Sequence, residues 1–121
     1  VAVNEPSAVL DIEQLTAVTG GDPGFVEELF SLYRETAPGL LQQVRDAQRR
    51  GDLGDLRKAA HTIRGASANV GASRVKALAY AVELLARDGD LTPAPAAISR
   101  LDSGLQELYA EMASTLRRLG P

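Results

Sequence analysis

The segment KAAHTIRGASANVG, residues 58–71, holds the single histidine of the chain, His61, with Gly65 four positions later. Residues three and four apart share one face of a helix, so Arg57, Lys58, Arg64 and Gly65 are the surface neighbours of His61, with Ala68 one turn further. Three cations around an imidazole disfavour its charged form and favour the neutral ring, whose bare nitrogen is a nucleophile. If that nitrogen takes up a phosphoryl group, the same cations meet its oxygens, and Arg64 offers a planar fork of donors. The glycine suits this chemistry. Inside a helix it costs roughly 1 kcal/mol relative to alanine, and because helical side chains lean over the preceding turn, a side chain at position 65 would cover the flank of the ring. Without one, a partner's backbone or active site can approach His61.

The elements that position this face read as helices throughout. Alanine and leucine dominate, and apolar residues recur at spacings of three and four. Asp11 opens a short helix, DIEQLTAV, with Gln14 in a capping-box position and the pair Gly20–Gly21 behind it. Asp22 and Pro23 start a second, along which Val26, Leu29, Phe30, Tyr33, Ala37, Leu41, Val44 and Gln48 trace a stripe to about Arg50, bent at Pro38. Gly51 closes it and Asp52 caps the third, with Leu53, Leu56, Ala60, Ile63, Ser67 and Val70 inward, which turns His61 about 100° away from the stripe and toward water. Ser73 is the expected cap of a fourth helix marked by Val75, Leu78, Val82 and Leu85. Thr92 and Pro93 announce a fifth, with Ile98, Leu101, Leu105, Leu108, Met112 and Leu116 as its seam. The expected architecture is all-α: an antiparallel four-helix bundle over residues 10–119, a short additional N-terminal helix as a lid, and a flexible tail over residues 1–9.

Composition bounds the function. A chain of 121 residues fits one domain with a core of its own. The absence of cysteine excludes disulfides and thiolate metal sites. A net charge of -3 and few aromatic residues argue against nucleic acid as a partner. No apolar run is long enough to insert in a membrane, and VAVNEPSAV lacks the charged start and apolar stretch of a signal peptide, so a soluble cytoplasmic chain is expected. Val1 in place of Met suggests a processed product or a domain cut from a longer chain.

The stretch HTIRGASANVGA resembles the signature of the histidine-phosphotransfer (HPt) family, in which a His is followed by an apolar residue, Lys, Gly, Ser or Ala, and a later Gly. The lead-in from LDIEQLTAV through DLRKAAHTIRG and the follow-on VKALAYAVELLARDGDL are similar to the family as well, so the resemblance spans about residues 10–119. It implies a helical bundle that carries phosphate on an outward histidine within a phosphorelay, with no ATP site and no autokinase activity, a carrier and not an enzyme. On it, His61 is the phosphoacceptor, Arg64 the cation attending the phosphoryl group, Gly65 the opening of a docking surface flanked by Lys58, Arg57 and Ala68, and Gly71 the end of the helix. Family members often place Gln or Glu on the following helix against the histidine's other ring nitrogen, and Glu83 in AVELL falls at that position. A carboxylate accepting from Nδ1 would fix the tautomer and leave Nε2 to attack. Arg64 stands where Lys is commoner, and Glu83 where Gln is the alternative. The implied partners are receiver domains of response regulators and a sensor or hybrid histidine kinase, docking transiently on the second and third helices of a monomer. No cofactor is implied for this chain, the divalent metal being held by the receiver.

Other readings stand beside this one. A helical interaction module that binds receiver or kinase domains without being phosphorylated would be unchanged by His61→Ala. A hydrolase could pair His61 with Glu83, although no nucleophilic serine constellation or metal cluster accompanies them. Gly65 could serve close helix packing, the Arg57, Lys58 and Arg64 cluster could be a solvated face, and Glu83 an exposed helix glutamate. Pro38 and the aromatic residues Phe25, Phe30, Tyr33, Tyr80 and Tyr109 read as structural or core.

Overall fold

The computed structural model describes Pro6 and residues 8–120. The described residues form five helices in chain order: α1 (Ile12–Thr19), α2 (Pro23–Arg50), α3 (Leu53–Asn69), α4 (Ser73–Asp88) and α5 (Ala94–Leu119). Among the described residues there is no strand. α2 packs on α3 and α5, and α4 on α3 and α5, so the four long helices close a bundle, while α1 lies against α2 and α3. Short connections such as Gly51–Asp52 reverse the chain between neighbours and make them antiparallel.

The starts and stops follow local chemistry. The Asp11 carboxylate accepts from the Gln14 backbone N–H at 3.1 Å, and that of Asp52 from Asp55 at 3.0 Å. Each occupies an orphan donor of a first turn. Only half of the capping box at Asp11 forms, because the Asp11 N–H donates to the Gly71 carbonyl at 2.7 Å and is not free for Gln14. Gly20, Gly51 and Gly89 end their helices in the left-handed conformation. α2 runs unbroken through Pro38, which is exposed and so loses its one bond on the solvent side.

The core is the set of inward stripes. Val26, Phe30, Tyr33, Ala37, Leu41 and Val44 of α2 meet Leu56, Ala60 and Ile63 of α3, with Val75, Leu78 and Val82 of α4 and the α5 seam from Ile98 to Met112 completing it. Three expectations shift. Gln48 is half-buried and the smaller Ala47 takes the inward place. Leu53, on the first turn of α3, is 38% exposed. The cap of α4 is Ala72 and not Ser73, and no side chain bonds there. The turn is too tight for a polar cap: Ala72 is fully buried, its N–H donates to Ser67 O at 2.9 Å, and Ser73 N donates to Gly71 O at 2.9 Å, already inside the helix.

Residues 1–5 and 7, most of the expected tail, lie outside the described residues. Of the tail's described part, the Pro6 carbonyl accepts from Arg74 Nε at 3.1 Å and Val9 packs against the core.

Candidate functional site

α3 fixes the site because its inward residues leave no rotational freedom. Ile63 and Ser67 are fully buried, and the Ser67 hydroxyl donates to Ile63 O at 2.7 Å while pairing with Tyr33 Oη of α2 at 2.8 Å. With that face held, His61 projects outward and its side chain is 63% exposed. A methyl group built on Gly65 would meet nothing within 4 Å, so this glycine serves no helix packing and the flank of the ring is open.

α4 supplies the other half. Glu83 is only 8% exposed, and its Oε2 lies 3.1 Å from His61 Nδ1. Arg64 Nε donates to Glu83 Oε1 at 2.7 Å and Nη2 to Oε2 at 3.3 Å, a forked pair across the α3–α4 interface. Burial pushes the Glu83 carboxyl up, but the hydrogen bonds from Arg64 and His61 outweigh it and hold the group below the ordinary glutamate range. The carboxylate is therefore charged where it meets the ring.

Arg64 Nη2 also lies 2.9 Å from His61 Nδ1. Nδ1 has one in-plane position, so it either donates a proton to Glu83 or accepts one from Arg64. Nε2 makes no hydrogen bond among the described residues. Protonation at Nδ1 leaves the Nε2 lone pair facing solvent as the available nucleophile.

The remaining sequence candidates are placed less closely. Arg57 and Lys58 are exposed and make no ion pair among the described residues. Ala68 stands seven residues beyond His61, about 10 Å along the axis. It is half-buried and lines a cleft with Asp11, Gln14, Gly71 and Lys76 beneath α1. Gly71, at φ +73°, sits where a β-carbon would lie 2.7 Å from the Asp11 carbonyl, so both the conformation and the approach of α1 demand glycine.

One member of the site escaped the sequence reading. Tyr80, taken there as structural or core, is 39% exposed, and the Arg64 guanidinium lies 5.2 Å from its ring centroid. It stands three residues before Glu83 on the same face of α4, and that spacing was the signal available. Phe25, grouped with it, is 41% exposed, whereas Phe30 and Tyr33 are buried as expected.

Among the described residues no group of three or more His, Cys, Asp or Glu side chains could hold a metal ion, and no helix is long and apolar enough to cross a membrane.

The fold is similar to two solved structures. One is the crystal structure of histidine-containing phosphotransfer protein B (HptB) from Pseudomonas aeruginosa PAO1, with a TM-score of 0.85 and 24% identity, covering 93% of this chain and 98% of that one. The other is that of the histidine-containing phosphotransfer protein ZmHP2 from maize, with a TM-score of 0.79 and 24% identity, covering 93% and 86%. No curated protein sequence matches the chain significantly. The family model described as Hpt domain matches residues 28–112, which takes in α3, α4 and the whole His61, Arg64 and Glu83 cluster. With an outward histidine on a helical bundle and a match over most of its length, the chain belongs to the Hpt domain family, which performs histidine phosphotransfer in phosphorelays.

Proposed function

We propose that His61 is the phosphoacceptor, and that it exchanges its phosphoryl group with aspartates of receiver domains. The observation that carries this reading is the disposition of the ring: largely exposed, held at Nδ1 by a charged carboxylate, unencumbered at Nε2, and beside a glycine with open space above it.

The transfer follows from that geometry. The Nε2 lone pair attacks the phosphorus of an aspartyl phosphate, the Nε2–P bond forms as the O–P bond breaks in line, and the released electron pair stays on the aspartate carboxylate. The proton on Nδ1 remains in place, and Glu83 balances the positive charge that the ring acquires. A divalent metal held by the receiver would neutralise charge on the oxygens in flight. Arg57 and Lys58, without a carboxylate partner among the described residues, supply positive potential at the mouth of the site. No step begins from ATP, and the chain acts as a carrier.

The docking face is the outer surface of α2 and α3. An apolar groove of about 330 Å³ lies between these helices, lined among others by Leu29, Leu32, Leu40, Ala66 and Val70. Leu32 is 61% exposed, and Ala66 is adjacent to Gly65 in sequence. An apolar patch beside a basic histidine face suits a transient partner that covers the ring during transfer and then leaves.

Incubation with receivers carrying labelled aspartyl phosphate tests the reading. Label that is stable in base, lost in acid, mapped to His61 and absent from His61→Gln is expected. Label on another residue, or none across a broad receiver panel, would overturn it. Release of free phosphate without labelled protein would favour a hydrolase.

A further inference from the structure

The two contacts at His61 Nδ1 exclude one another, and that exclusion has chemical weight. Glu83 Oε2 at 3.1 Å needs a proton on Nδ1, whereas Arg64 Nη2 at 2.9 Å needs a lone pair there. The guanidinium is not free to drift, being forked onto Glu83 and stacked on Tyr80. Its distance to Nδ1 is as short as that of the carboxylate. The charged and titratable groups on the two helices beside the ring include Arg57, Lys58 and Arg64 on α3 and Glu83 and Tyr80 on α4, and Asp55 of α3 with Asp46 and Arg50 of α2 line a cleft with Lys58.

We infer that Arg64 is a positioning residue that competes with Glu83 for His61 Nδ1, and that this competition sets how long a phosphoryl group remains on Nε2. The inference rests on the reading of His61 as phosphoacceptor. When the ring carries phosphate and Nδ1 keeps its proton, breaking the P–Nε2 bond returns the electron pair to Nε2 and releases neutral imidazole, a competent leaving group. When Nδ1 has lost its proton to water, the same cleavage must expel an imidazolate, which is far poorer. Glu83 accepts from Nδ1–H and holds the ring ready to transfer. Arg64 donates to the bare nitrogen and holds the ring in its storage form. A receiver aspartate attacks the first form, the P–N bond breaking as the new O–P bond is made.

Arg64 thereby differs from a cation that attends the phosphoryl oxygens, since its contact is to the nitrogen that does not carry them. A lysine could supply charge, but it has no planar fork with which to bridge a carboxylate and the ring.

The experiment has two arms on the whole chain, with Arg64→Met and Glu83→Gln. Ring-¹⁵N spectra of the unphosphorylated protein, in mildly alkaline buffer where an imidazole is uncharged, read the shares of the two tautomers. Arg64→Met should move the ring toward Nδ1–H and Glu83→Gln toward Nε2–H. Phosphohistidine formed with phosphoramidate, and freed of reagent, is then followed by ³¹P spectroscopy. Its lifetime should shorten about fivefold in Arg64→Met and lengthen by about the same factor in Glu83→Gln, the size of effect one hydrogen bond supplies. Tautomer shares that Arg64→Met leaves unchanged, or a lifetime it does not shorten, would overturn the inference. Failure of the wild type to take label on His61 would overturn the phosphoacceptor reading and the lifetime claim with it, while the tautomer shares would still decide the competition.

Discussion

Arg64 of α3 lies over the ring of Tyr80 of α4, 5.2 Å from its centroid, while its Nε donates to Glu83. The ring and the carboxylate together hold one guanidinium, which restricts a side chain that is 30% exposed. A half-exposed cation–π contact of this kind contributes about 0.5–1 kcal/mol. Tyr80→Ala should cost that much more in the wild type than in an Arg64→Met background, read by chemical denaturation. Additive losses in the double-mutant cycle would show the two side chains to be independent.

Gly65 sets stability against access. With nothing within 4 Å of a β-carbon there, Gly65→Ala should stabilise the domain by about 0.5–1 kcal/mol, read as a raised denaturation midpoint. The same variant, and Gly65→Leu more strongly, should slow transfer from a phosphorylated receiver while leaving labelling by phosphoramidate unaffected. A small donor does not need the open flank. Equal slowing with both donors would place the defect in the ring itself.

The buried hydroxyl pair of Tyr33 and Ser67 gives an asymmetric outcome. In Tyr33→Phe the Ser67 hydroxyl keeps its bond to Ile63 O, so the loss should be about 0.5–1.5 kcal/mol; Ser67→Ala strands the tyrosine hydroxyl in the core and should cost about 1–3 kcal/mol. Equal losses in thermal or denaturant unfolding would contradict this accounting.

Tyr33 also sets an alkaline limit. Burial raises its hydroxyl well above the ordinary 10.0, against a smaller opposing effect of the Ser67 hydrogen bond. An acid whose folded value is raised contributes stability that is complete below its unfolded value and lost as pH climbs beyond it. The wild type should therefore weaken above about pH 10, and Tyr33→Phe should show a flatter profile there.

At the acid end the sign reverses. The Glu83 carboxyl is held below its ordinary 4.5, the bonds from Arg64 and His61 outweighing burial, so its contribution is present above that value and lost as pH falls through the depressed one. Denaturation midpoints should drop over that acid range, and Glu83→Gln should lack this part of the slope.

The bundle was legible because burial imposes the helical period on sequence. The runs through Phe30, Tyr33 and Ala37, and through Leu101, Leu105 and Leu108, admit no other period. Asp11, Asp22 and Asp52 announced their helices by the oxygen each lends to a free N–H. The cap of α4 was not legible, because Ala72 is held by a backbone turn whose bonds leave no trace in side-chain type. At the site, His61 and Gly65 could be placed outward from a single helix. The burial of Glu83 and the stacking of Tyr80 depend on how α4 is rotated against α3, and a periodicity within one helix carries no such information.

Position 71 bears on where the domain can be cut. Its carbonyl receives the Asp11 N–H, and its missing side chain lets the strand of backbone before α1 lie against the α3–α4 turn, yet Asp11 precedes the stretch 28–112 that the family match spans. A fragment trimmed to that stretch would bare the Gly71 carbonyl on one side and take Leu10, Leu15 and Val26 out of the core. Dissection that keeps Leu10 onward should retain a cooperative unit, and the shorter fragment should melt earlier.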